Sequence, residues 1–105
     1  MIPPIKPIEQ TQKEAARWYL LVALYHGGGN HVAEAVLLST IQAVPIQTDA
    51  AVIRAQLKYL ESAGLAQICK LPDGRITAAI TQSGCDVYEY NADCPPGIAR
   101  PRKYY

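Results

Sequence analysis

The chain has 105 residues, half of them hydrophobic, which sets one domain with a modest core as the expectation. Charged residues make up 18% and the formal net charge is +1, which excludes the overall basic field of a strong nucleic-acid binder. Three cysteines at irregular spacing, with no CxxC, argue against a disulfide framework and point to free thiols in a reducing cytoplasm.

Residues 1–10 read as an extended arm punctuated by Pro3, Pro4 and Pro7 and carrying Ile2, Ile5 and Ile8. No apolar run has signal-peptide length. The longest, Trp18 to Tyr25, is too short to cross a membrane, so a soluble, cytoplasmic protein is expected. A first helix is predicted over Thr11–His26, with Thr11 as N-cap and Glu14 at capping-box spacing. Ala15, Trp18, Leu21, Val22 and Tyr25 recur at helical spacing and should be its buried face. Gly27-Gly28-Gly29 stops this helix; no strand precedes it and no Gly-Lys-Ser/Thr follows, so it is not a phosphate loop.

A second helix is predicted over Asn30–Val44, with Val32, Val36, Leu37, Thr40, Ile41 and Val44 as its apolar stripe. Pro45 ends it, and the link to Thr48 is as short as a helix-turn-helix demands. The third helix starts at Thr48, with Asp49 in its first turn and Ile53, Leu57 and Leu60 facing the core. Gly64 sits where a left-handed residue closes a helix, and Leu65 ties the end to the core. Ala66–Leu71 and Arg75–Ile80 flank Pro72-Asp73-Gly74 as two strands of a hairpin, with Ile68, Ile76 and Ile80 inward. Thr81 caps a short helix to about Tyr90. Residues 91–105 form an extended, partly disordered basic tail.

The expected fold is therefore mainly α with a small β-hairpin. It is a winged helix-turn-helix over residues 11–90, with a three-helix core, a two-stranded wing and a short C-terminal helix. The segment TDAAVIRAQLKYLESAGLAQI is similar to the third-helix-and-strand segment of MarR- and ArsR-type winged-helix regulators. VAEAVLL, QLKYLESAGLA, ITQSGCDV and PPGIARPRK together resemble a family of small winged-helix proteins of Mu-like phages and prophages, over roughly residues 15 to 103. The resemblance implies a winged-helix fold and a phage origin; it brings no binding residues and no catalytic activity with it.

With Ile53, Leu57 and Leu60 inward, the outer face of the third helix is Ala51, Ala55, Lys58 and Ser62, flanked by Arg54 on one side. Thr48, Val52 and Tyr59 lie on the other. Base readout prefers Arg, Lys, Asn or Gln, and two alanines hold the centre of this face. A weak or shape-dominated DNA contact would use Gln47, Thr48, Arg54 and Lys58 on the helix, Lys70 and Arg75 on the wing, and Arg100, Arg102 and Lys103 in the tail. The bland reading makes Arg54 and Lys58 solvated cations and Val52 and Tyr59 a protein-facing surface.

Two functions follow: a phage DNA-binding or DNA-associated accessory protein, in transcriptional regulation or DNA handling, or an interaction module in phage assembly without DNA. A homodimer fits the apolar first helix, arm and tail. No enzyme, cofactor or metal is expected: His26 and His31 have no nucleophile beside them, Glu34 is placed to orient His31, and Cys85 reads as a buried structural thiol.

Overall fold

Among the described residues, four helices and a three-stranded antiparallel sheet make up the fold. In chain order they are α1 (Ile8–His26), β1 (Val32–Ala33), α2 (Glu34–Gln42), α3 (Ala50–Ser62), β2 (Ala66–Lys70), β3 (Ile76–Ile80) and α4 (Gln82–Tyr88). The structure is a computed structural model that describes residues 7–43 and 49–101. The expected helix stop at Val44-Pro45, the expected DNA contact Gln47, the expected cap and DNA contact Thr48, and the tail cations Arg102 and Lys103 lie outside the described residues. The arrangement is compatible with a winged helix.

α1 starts earlier than its capping box suggested. Pro7 is the N-cap, and its carbonyl accepts both the Thr11 amide (3.1 Å) and the Thr11 hydroxyl (3.3 Å). Thr11 therefore lies one turn inside the helix, and Ile8 to Gln10 belong to α1 rather than to an extended arm. The buried face is also rotated from the expected one. Ala16, Leu20, Leu21 and Leu24 are buried, whereas Ala15, Trp18, Val22 and Tyr25 are only half-buried. The apolar stripe of α1 is too broad for periodicity to choose its centre. The leucines fill the core, and the aromatics take the flank against α4. There Tyr88 stacks on Tyr25 at 3.9 Å and on Trp18 at 5.8 Å between ring centroids.

Val32 and Ala33 were expected inside a helix starting at Asn30. They instead pair with Ala78 and Thr77 of β3, so α2 begins only at Glu34. β3 would otherwise present an open edge, and pairing it satisfies backbone groups that a longer α2 would not reach. The expected two-stranded wing is thus part of a three-stranded sheet in the order β1-β3-β2. On α2 only Leu37 and Ile41 are buried; Val36 and Thr40 are exposed.

α3 keeps the expected core face but starts later than expected. Asp49, expected in its first turn, is the N-cap, because its side chain accepts the Val52 amide at 3.0 Å, and Ile53, Leu57 and Leu60 are wholly buried. Its end is a Schellman closure: Leu65 N–H donates to Leu60 (2.9 Å) and Gly64 N–H to Glu61 (3.0 Å), with Gly64 at φ +79°. β2 and β3 pair from Ala66–Ile80 to Lys70–Ile76. β2 is an outer strand of the sheet, and the Glu61 carboxylate accepts its Ile68 N–H at 3.0 Å. Thr81 caps α4 by accepting the Gly84 amide at 3.1 Å.

The stretch after α4, expected to be partly disordered, is packed over residues 91–101. Ala99 N–H donates to Glu14 O (3.1 Å), Tyr59 hydroxyl to Pro96 O (2.6 Å), and Ile98 is buried. This strap ties α1 to α3 from outside. No helix among the described residues is long and apolar enough to cross a membrane.

Candidate nucleic-acid interface

The expected cations separate into three places. Arg54, on the flank of α3, donates from Nε to Glu34 Oε2 at 2.9 Å, and this carboxylate raises the guanidinium pKa above its ordinary value. Glu34 stands in the first turn of α2, where a carboxylate also suits the helix dipole. Arg75 follows the hairpin turn and donates to Asp73 at 2.5 Å. Arg54 and Arg75 both line one cleft of about 360 Å³. Ala33 at the end of β1, Glu34 and Ala35 at the start of α2, and Asp73, Gly74 and Ile76 on the hairpin also line it.

Lys58 and Lys70 are exposed and make no ion pair among the described residues. Lys70 ends β2 at the hairpin, while Lys58 lies on α3 away from the cleft. Arg100 is used inside the fold. Its Nη1 donates to Val87 O (3.0 Å) and Ala92 O (2.9 Å), and its guanidinium lies 4.4 Å from the Tyr90 ring centroid. It ties the end of α4 to the segment after it, adding to the Tyr90 amide that Val87 O already accepts at 3.3 Å.

The outer face of α3 is not a free ridge. Ala51, Ala55, Lys58 and Ser62 form one wall of a groove of about 730 Å³, and the first half of α1, including Glu9, Lys13 and Ala16, forms the other. Arg17 and Tyr59 also line it. Arg17 donates to the buried Gln56 at 2.7 Å and to Gly97 O at 2.9 Å, and stacks 3.7 Å above the Tyr59 ring centroid.

Sequence reasoning missed Glu34 as the partner of Arg54; the two are 20 residues apart, beyond any local spacing rule. Glu34 was expected beside His31, whose Nδ1 instead lies 3.4 Å from the Thr77 hydroxyl. Burial pushes the Cys85 thiol pKa up, with the Glu89 and Asp86 charges adding to it, so the start of α4 does not activate it. Among the described residues no group of three His, Cys, Asp or Glu could hold a metal ion.

No protein-family model matches the sequence, and no curated protein matches it either. Among solved structures, the chain is similar to a candidate DNA-binding protein from Ralstonia eutropha JMP134, determined at 1.70 Å resolution. The TM-score is 0.61 at 25% identity, covering 72% of this chain and 93% of that one.

Proposed function

We propose that this chain is a winged-helix, DNA-associated protein. It grips phosphates along the side of α3 that faces the hairpin and does not read bases with the outer face of α3. The carrying observation is the placement of Arg54 and Arg75 on one cleft, with the exposed Lys70 at the end of β2. Each arginine is held by a carboxylate, so the cleft is near neutral and affinity is weak and salt-sensitive. The similarity to the Ralstonia protein supports DNA as the partner. The resemblance to small winged-helix proteins of Mu-like phages supports an accessory role in phage regulation or DNA handling. In this reading the protein is a cytoplasmic binding module and not an enzyme.

The test is binding to mixed-sequence duplex DNA over a salt series. We expect log K to fall with log salt, and Arg54→Ala with Arg75→Ala to reduce the slope by about two. No binding at low salt, or a slope that ignores both substitutions, overturns the reading. One observation favours a second function, an interaction module in phage assembly: the α1–α3 groove takes up the surface that a base-reading helix would present.

A further inference from the structure

The charges along the α1–α3 groove do not balance. Lys13 and Arg17 on α1 and Lys58 on α3 line it with one acid, Glu9, so three cations stand against a single carboxylate. None of the three cations is in an ion pair among the described residues. Arg17 is half-buried, and its partners are all neutral: Gln56 Oε1, Gly97 O and the Tyr59 ring. Of the five N–H donors of its guanidinium, Gln56 and Gly97 take two. A half-buried charge without a counter-charge gains more from an anion than a fully solvated one does. Small apolar side chains make up much of the remaining lining: Ala16 on α1, and Ala51, Val52 and Ala55 on α3. Side chains of that size let a helix approach closely. From Glu9 to Arg17 and from Ala51 to Ser62 the walls run roughly 12–17 Å, or two to three helical turns.

We propose that the groove docks an acidic amphipathic helix of another protein, its apolar stripe on the alanines and its carboxylates toward Lys13, Arg17 and Lys58. The docking rests on the interaction-module reading and needs neither Arg54 nor Arg75, which line the other cleft. Charge and lining select this occupant together. Duplex DNA would satisfy the cations, but its phosphates would gain nothing from Ala51, Val52 and Ala55. A two-fold contact of the groove with itself would set three cations against three, with one acid on each side to offset them. A basic helix would meet the same excess as like charge. An acidic amphipathic helix brings carboxylates on the flanks of an apolar stripe, the complement of cations beside small apolar side chains. Glu9, at one end of the groove, disfavours a carboxylate there and so gives the occupant a direction.

The test is fluorescence anisotropy of the full chain with a labelled synthetic helix of about 15 residues, long enough to span the groove. Its one face carries leucine and alanine, and glutamates flank that face. Two control peptides replace every glutamate by lysine, or keep the composition and scramble the periodicity. Lys13 and Lys58 are exposed, so Lys13→Glu and Lys58→Glu should leave the fold intact, which circular dichroism checks. The acidic peptide should bind, and each reversal should raise its dissociation constant by roughly fivefold. Four results overturn the proposal: no binding at about 1 mM peptide, equal binding of either control, indifference to both reversals, or self-association of the chain that displaces the peptide. Duplex DNA that displaces the peptide, and loses that power in Lys58→Glu, would assign the groove to DNA and equally overturn it. The salt series with Arg54→Ala and Arg75→Ala probes the other cleft, so failure of the DNA reading is seen apart from failure of this one.

Discussion

Arg54 carries the charge that the interface needs, but Glu34 holds it at 2.9 Å. The carboxylate has two opposed effects on a phosphate ligand. It orients the guanidinium toward the cleft, and it cancels the charge that would draw the phosphate in. The Arg54 side chain is 55% exposed, against 13% for Glu34, and at so exposed an arginine the second effect should win. Glu34→Gln should therefore tighten duplex binding several-fold at low salt, with the gain fading as salt rises. A loss of affinity in the same titration would show that orientation matters more. Arg75 illustrates the same economy at shorter range: Asp73, two residues earlier, both accepts its backbone amide at 3.1 Å and holds its side chain. Arg100 is a cation of a different kind, consumed by the carbonyls it satisfies.

At the scale of elements, the parts legible in the sequence were those fixed by local chemistry. Gly64, Leu65 and the Asp73-Gly74 turn each act within a few residues, and α3 and the hairpin took the expected places. β1 was not legible, because Val32-Ala33 becomes a strand only through β3, more than forty residues away. The candidate site was less legible than the fold. Its cations were visible in the sequence, but the carboxylate of Arg54 and the groove that walls Ala51 and Ala55 depend on how helices meet. The strap was hidden for the same reason: Pro95-Pro96-Gly97 looks like a loose tail until Arg17 and Tyr59 are seen to hold it. Gly97 has φ +96°, and a β-carbon there would lie 2.6 Å from the Tyr59 hydroxyl. Gly97→Ala should lower unfolding free energy by about 1–3 kcal/mol, read from denaturant titration. A variant as stable as the parent would mean that the strap contributes nothing to folding.

For the whole molecule, three groups among the described residues resist ionisation. Burial raises the pKa of the Cys85 and Cys94 thiols, and a hydrogen bond to Glu89 raises that of the Tyr25 hydroxyl. In each case the unfolded chain ionises first as pH rises. Stability from these groups is therefore fully present below the ordinary thiol value of 9.0 and is lost as pH climbs through the higher folded values, with Tyr25 adding to the loss above 10.0. Denaturation midpoints should be level near neutrality and fall above about pH 9. Cys85→Ala with Cys94→Ala should blunt the first part of that fall; an unchanged profile would place the alkaline sensitivity elsewhere.

The Glu61 contact with Ile68 has a consequence for how this chain can meet others. β2 borders the sheet, and an open border invites a foreign strand to add itself by main-chain hydrogen bonds. Glu61 already occupies an amide on that border, and Lys70 places a charge at its end. Strand-by-strand growth is discouraged at the side where the sheet is most vulnerable to it. Association is thereby steered away from this border of the sheet.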